Sequence, residues 1–250
     1  MSAILTLPQL LNRFRDLKAN EANDTLNIIH THHSVGVEGG SLTLLQVQSL
    51  LQKGIRLTDK SLTDQLLIVD YMSALQQVRA MAIQKEPLNR IALQSIASTL
   101  MRQTGGPIHS LLSQYNSNLG ELRIDSNMAG KRVLIDAYKL PKAIDNLLKE
   151  VNSTITRVRT PRQIYDLSFE AHFKLLTLHP FGEGNGQMAR LLMNYIQQFH
   201  QQPISLVYID SRIHYMSALE VSWRQKTPTP IMSFMHSQLI RFLQECIEQH

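Results

Sequence analysis

A base, a carboxylate, a glycine-rich turn and a cation fall within twelve consecutive residues, His179-Pro180-Phe181-Gly182-Glu183-Gly184-Asn185-Gly186-Gln187-Met188-Ala189-Arg190. That set of residue types at this spacing is suited to phosphate chemistry. A helix opening at Gly184-Asn185-Gly186 would aim its unpaired N–H groups and positive dipole end into the loop. Glycines on either side of Asn185 let that backbone curl around an anion with no Cβ in the way. Glu183 offers a hard oxygen at the mouth, and one carboxylate together with ligand phosphates is the usual way Mg²⁺ is held. Arg190 returns to the same side about one turn later, where a guanidinium suits a terminal phosphate. His179 could serve as general base toward an attacking hydroxyl. Each part alone is commonplace; their joint spacing carries the argument.

The elements that must position this loop are mostly helical. Thr160-Pro161 reads as an N-cap with proline at the first helical position. Ile164, Leu167, Ala171, Leu175 and Leu178 then share one face. That helix must stop near His179, because the residue before a proline is pushed out of the α region. A new helix starting near Gly186 carries Ala189, Leu192, Met193, Ile196 and Phe199 inward. Upstream, helices are expected after Thr6 or Leu7, from Asp24 as N-cap to Val37, from a Thr43 capping box to Gly54, from Ser61 to about Gln84, and from beyond Pro87 to near Gln103. Gly105-Gly106-Pro107 breaks the pattern. Leu122-Arg123-Ile124 and Val133-Leu134-Ile135 flank the turn-rich Asp125-Ser126-Asn127-Met128-Ala129-Gly130 and predict a β-hairpin. Pro141, Ser211 and Thr229-Pro230 open later helices. The expectation is an all-α fold with one β-hairpin, residues 1–60 forming an N-terminal helical extension and residues 61–250 the core with its C-terminal helices.

Composition excludes several classes. With 250 residues and 43% apolar content the chain can bury a substantial core. No apolar run approaches the roughly 20 residues that span a bilayer, so no membrane partner is expected. Met1 to Pro8 lacks the features of a secretory leader, and the single cysteine, Cys246, fits a reducing compartment; the cytoplasm is the expected location. The charge of +5 is scattered, and its densest cluster, Arg157, Arg159 and Arg162 with Lys131, Arg132, Lys139 and Lys142 upstream, has no aromatic interleaving, so no nucleic-acid partner is expected. His30, His32 and His33 match no zinc spacing and are expected to be structural.

The loop from His179 to Arg190 resembles the signature of the Fic domain, His-Pro-Phe-x-Asp/Glu-Gly-Asn-Gly-Arg-x-x-Arg, and the resemblance extends over most of residues 30–245. It implies a Fic-fold helical bundle in which the Leu122–Pro141 hairpin is a flap that clamps the target segment. Most Fic proteins are adenylyltransferases, moving AMP from Mg-ATP to a protein Ser, Thr or Tyr hydroxyl. The resemblance implies His179 as base, Glu183 as Mg²⁺ ligand and Gly184, Asn185 and Gly186 as phosphate cradle. It also implies Arg190 at the γ-phosphate and Phe181 as a buried anchor. Ile135, Asp136, Ala137 and Tyr138 would lie against nucleotide and target, and Tyr215 would help wall the adenine pocket, unless it is a plain core tyrosine. ATP and an unidentified target protein are the implied partners, and Fic proteins often form homo-oligomers.

Alone, Ser34-Val35-Gly36-Val37-Glu38-Gly39 reads as a helix end with a solvated glutamate. Beside a Fic loop it resembles the family's inhibitory motif, Ser/Thr-x-x-x-Glu-Gly/Asn. A Glu38 carboxylate in the fork of Arg190 would imitate a γ-phosphate, with Ser34 on the same helical face. Two positions depart from the pattern. Gln187 stands where the family has arginine, and glutamine brings neither charge nor a bidentate fork. If that arginine stabilises transition-state charge, its loss costs a few kcal/mol, on the order of a hundredfold in rate. Trp223 stands where related proteins often place an asparagine near the adenine; its indole could stack on a base or simply fill space. The expected activity is therefore auto-inhibited AMP transfer. The alternatives are an impaired nucleotide-binding or interaction module, or a de-AMPylating phosphodiesterase that uses Glu38.

Overall fold

In a computed structural model of the chain, residues 5–18, 23–109, 114–125, 128–130 and 132–248 are described. Met1–Ile4 of the start, Ser126 and Asn127 of the expected turn, and Lys131 of the basic cluster lie outside them. Ten α-helices are present among the described residues: α1 (Leu7–Lys18), α2 (Asn23–Val37), α3 (Leu44–Lys53), α4 (Leu62–Gln84), α5 (Arg90–Leu100), α6 (Leu140–Ile155), α7 (Pro161–Leu178), α8 (Asn185–Phe199), α9 (Arg212–Gln225) and α10 (Thr229–Glu248). None is long and apolar enough to cross a membrane.

The helix boundaries follow from local chemistry. Thr43 and Thr160 each close a capping box with a glutamine three residues on, Gln46 and Gln163. Ser61 and Asn89 cap α4 and α5 by accepting from Asp64 N–H and Ala92 N–H. Asp24 lies within the first turn of α2 rather than at its cap. The helix expected to reach Gln103 ends at Leu100.

Around α8 the bundle is layered. It packs against α7 and α4, while α6 and α10 cover α7, and α2 lies against α4 and α8. Every residue from Gln187 to Gln197 is buried, so α8 is the central rod. It is not apolar all round. Gln187, Arg190, Asn194 and Gln197 recur at spacings of three and four and form one polar stripe, buried in the bundle. Asn194 Nδ2 lies 2.8 Å from His30 Nε2 of α2, and Gln197 Nε2 donates to Ser168 Oγ and Ser205 Oγ. Leu10, Leu11 and Phe14 of α1 and Ile28 and Val35 of α2 belong to the same core as α4, α7, α8 and α10.

The extended structure differs from the expectation of one hairpin. Strands β1 (Pro107–His109) and β2 (Gln114–Asn116) pair antiparallel directly after the Gly105-Gly106 break. A second pair, β3 (Met128–Ala129) and β4 (Arg132–Val133), sits where the flap was expected but has only two residues per strand. The flanks Leu122–Ile124 and Leu134–Ile135 do not join it, because their backbone groups are engaged elsewhere. Arg123 N–H donates to the Pro180 carbonyl, and the Ile135 carbonyl accepts from Arg123 Nη2.

Candidate active site

α7 ends by placing His179 in the left-handed region, at φ 50°, with its N–H still bonded to the Leu175 carbonyl. The following proline forbids a further helical turn, and the chain swings out through Phe181, Gly182 and Glu183. Phe181 is buried, and Asn185 clasps it: Oδ1 accepts from Phe181 N–H at 3.0 Å, and Nδ2 donates to the Phe181 carbonyl at 2.8 Å. The Asn185 side chain therefore sets the curvature of the loop instead of offering its amide to a ligand. Gly184, at φ 72°, turns the chain into α8 in a conformation that side chains rarely adopt.

The N-terminal turn of α8 opens onto a cleft of about 470 Å³. Glu38, His179, Glu183, Gly184, Gly186 and Gln187 are among its walls, with Thr63, Leu67, Met101 and Thr104 opposite. Orphan N–H donors, a dipole end and a base thus face one space. The Glu183 side chain is exposed, and among the described residues no hydrogen bond or ion pair ties up its carboxylate. No group of three or more His, Cys, Asp or Glu side chains converges among the described residues. A lone free carboxylate beside a phosphate-sized cradle matches the Mg²⁺ pattern, in which phosphates supply most ligands.

The His179 ring is in its basic, unprotonated form at neutral pH. Burial, reinforced by Arg132 and Arg123, brings its pKa down to about 4, with Glu38 pulling in the opposite direction. The ring is consequently neutral and holds a free lone pair at pH 7.

Arg190 is fully buried. Its Nε donates to Ser34 Oγ at 2.7 Å, and its Nη2 donates to the Ser34 carbonyl at 2.9 Å and to Glu38 Oε1 at 2.8 Å. Burial is the largest influence and opposes the charge, but Glu38, Tyr215 and Tyr71 together outweigh it and raise the guanidinium pKa above its ordinary value. Among the described residues, buried Nη1 has no hydrogen-bond partner. Glu38 lies just past the end of α2, with 37% of its side chain exposed toward the cleft. Gly186 leaves room for the contact with Arg190: a Cβ there would sit 2.0 Å from Glu38 Oε1, so the tip of the glutamate would have to shift. Arg212 Nε fixes the end of α2 by donating to the Val37 carbonyl at 2.6 Å.

Other residues singled out in the sequence fall elsewhere. Tyr215 is in the core rather than on the cleft wall. Its hydroxyl lies 2.9 Å from His172 Nε2 and its ring packs on Phe234. Ile135, Asp136, Ala137 and Tyr138 do not line the cleft: Ile135 packs on the core, Asp136 pairs with Lys139, and Tyr138 is exposed. Trp223 is stacked between the Arg132 guanidinium, 4.2 Å from the ring, and Phe173, so its indole is committed to packing. Its Nε1 donates to Thr177 Oγ1, while Arg132 donates to the Leu176 and Thr177 carbonyls at the end of α7. His30 is buried against Asn194 and Tyr71, and His33 packs on Tyr208. Two residues at the site escaped the sequence reading. Tyr115 of β2 brings its hydroxyl over Gly182, where a Cβ would lie 2.7 Å away. Buried Arg123 ties His179 to the flap; a lone arginine between Leu122 and Ile124 was its signal.

A family model described as Fic/DOC family matches residues 87–197, the stretch that holds both hairpins, α7, the loop and most of α8. The chain carries a Fic/DOC family domain. Curated relatives include the protein adenylyltransferase fic-1 of Caenorhabditis briggsae, 24% identical over 223 residues, which cover 87% of this chain and 41% of that protein. The protein adenylyltransferase Fic of Aedes aegypti is 27% identical over 224 residues, covering 89% and 40%. The chain thus spans about two fifths of the length of these curated relatives. Among solved structures, a Fic domain-containing signaling protein of Bacteroides thetaiotaomicron superposes with a TM-score of 0.80 at 22% identity, over 96% of both chains. Fic-1 of Caenorhabditis elegans superposes at 0.75 with 18% identity, over 97% of this chain and 72% of that one. These likenesses show the Fic fold, including the helices outside residues 87–197.

Proposed function

We propose that the protein is an adenylyltransferase that moves AMP from ATP to a protein hydroxyl and is held in check by Glu38. The observation that carries this reading is the fully buried Arg190, whose fork is filled by a carboxylate at the edge of the cleft of about 470 Å³. A buried cation without a counter-charge costs about 3–5 kcal/mol. Arg190 is therefore built to hold one anion, either Glu38 or a nucleotide phosphate. With Glu38 in place, a γ-phosphate loses its partner and ATP cannot settle in line for transfer.

When Glu38 is displaced, neutral His179 accepts the proton of the target Ser, Thr or Tyr hydroxyl. The hydroxyl oxygen forms a bond to the α-phosphorus, the bond to the β-phosphate oxygen breaks, and pyrophosphate leaves. The backbone N–H groups at the start of α8 hold the phosphates as charge shifts between them. Glu183 would hold Mg²⁺, which when bound neutralises phosphate charge. A second reading rests on the partial exposure of Glu38: its carboxylate could instead orient a water toward an AMP ester, making the protein a phosphodiesterase. Gln187, which lines the cleft with no charge, favours slow transfer or a binding role.

Incubation with α-labelled ATP and Mg²⁺ separates these readings. Glu38→Gly is expected to raise labelling at least tenfold over the wild type, and Glu38→Gly/His179→Ala to abolish it. Label that appears only in Glu38→Gly/Gln187→Arg would assign slow catalysis to Gln187. ATP binding without label in any variant would sink the transferase, and release of AMP from a pre-modified protein by the wild type, lost in Glu38→Gly, would establish the phosphodiesterase.

A further inference from the structure

Arg123 is as fully enclosed as the core, 2% exposed, although it lies in the irregular segment between the two hairpins. Its guanidinium donates to three backbone carbonyls. Nε donates to the His179 carbonyl at 2.8 Å, Nη1 to the Asp125 carbonyl at 3.2 Å, and Nη2 to the Ile135 carbonyl at 2.6 Å. Its own backbone N–H donates to the Pro180 carbonyl at 3.0 Å. Arg123 therefore holds the Pro180 carbonyl with its backbone N–H and, with one planar group, the His179 carbonyl and both flanks of the β3–β4 hairpin.

The grip falls at a position that needs one. His179 is among the few non-glycine residues here with a left-handed backbone, a conformation that costs energy and persists only when its surroundings enforce it. Since α7 ends there, the His179 carbonyl has no helical N–H to bond, and neither has that of Pro180. Enclosing this cation is costly: burial leads the influences on Arg123 and lowers its pKa, against the pull of Tyr115, Asp125 and Asp136. Lysine could supply charge here, but only the rigid fork of arginine reaches three carbonyls in three directions.

We propose that Arg123 is a positioning residue for the transfer reaction: its fork fixes the backbone of His179 to both flanks of the flap, so that the base and the clamp on the target segment are held as one unit. This deepens the reading given above and rests on it. Arg123 neither touches the cleft nor binds nucleotide. Its effect belongs to the alignment of His179 with the acceptor hydroxyl, where a misplacement of about 1 Å costs on the order of a hundredfold in rate.

The test places Arg123→Lys and Arg123→Gln in the Glu38→Gly protein and measures kcat and KM for ATP, ATP binding and the thermal midpoint. In parallel, the His179 ring resonances of the histidine-labelled protein are followed, assigned by their loss in His179→Ala. The expected result is a fall in kcat of ten- to a hundredfold in both variants with KM and Kd for ATP within about twofold, no rescue by lysine, and displaced His179 resonances beside unmoved His30 and His172 resonances. Full kcat in Arg123→Lys would overturn the proposal, since charge alone would then suffice. A loss of ATP binding parallel to the loss of kcat would also overturn it and make the role structural. Should Glu38→Gly itself transfer nothing, the adenylyltransferase reading fails, while the resonances still decide the positioning: an unmoved His179 ring in both variants would end it.

Discussion

Arg190 and His179 show how burial decides what a charged residue can do. Arg190 keeps its charge in the core because two bonds to Ser34 and one to Glu38 replace the water it lost. His179 loses its charge because burial and two nearby arginines disfavour the imidazolium. The acid limb of kcat/KM in Glu38→Gly should therefore lie near pH 4 or below, not at the ordinary histidine value near 6.5. Glu38 is what raises the His179 pKa, so its removal moves the limb further down; a limb between pH 6 and 7 would show that another group is the base. Gly186 yields a second expectation at this scale. An alanine Cβ would meet the tip of Glu38, so Gly186→Ala should destabilise the wild type by about 1–3 kcal/mol. In Glu38→Gly the same change should be neutral or slightly stabilising, because alanine favours the helix. Equal losses in both backgrounds by denaturant titration would mean that the clash is not with Glu38.

At the scale of elements, α2 is attached through polar groups as much as through apolar ones. The stripe on α8 receives Ser34 and His30, and Arg212 secures the last carbonyl of α2. The β3–β4 hairpin is too short to stand alone, since isolated two-stranded ribbons are at best marginal. Arg132 anchors it from β4 by bonding the end of α7 and stacking on Trp223. Trp223→Ala removes that stack, the Phe173 contact and the bond to Thr177. It should cost about 1–3 kcal/mol and speed proteolytic cleavage between Asp125 and Val133. Cleavage at an unchanged rate, by mass spectrometry of timed digests, would show that the hairpin is held by other contacts.

For the whole molecule, buried histidines couple folding to pH. Burial, helped by Arg190, brings His30 and His172 down to about 3, and burial with His32 lowers His33 to about 4. The unfolded chain has ordinary histidines near 6.5, so between that value and about 3 it binds more protons than the folded protein. The stability these groups confer is complete above pH 6.5 and is lost as pH falls toward 3. The thermal midpoint should drop steadily from pH 7 to pH 4, with a shallower slope in His172→Phe. A midpoint independent of pH over that range, or the same slope in both proteins, would remove these histidines from the account.

Local chemistry is written in local sequence, which is why the helices, their caps at Thr43, Ser61 and Thr160, and the loop from His179 to Arg190 could be read residue by residue. Proline at 180 and glycine at 184 constrain backbone angles wherever they occur, and the resemblance of the loop was specific enough to name the fold. Long-range partners are not written that way. Nothing around Leu122 says that Arg123 reaches back to His179, and nothing around Arg132 says that its guanidinium lies on Trp223. The β1–β2 hairpin was missed because three-residue strands carry too little alternation to stand out. Tyr215 and Trp223 were ambiguous for a related reason: a buried aromatic has the same local pattern beside a ligand as within a core. The sequence alone determined which groups the chain owns for phosphate chemistry and which helices present them. Only the tertiary structure decided that Glu38 occupies Arg190 and that His179 is held by Arg123, because both pairings join segments brought together by burial.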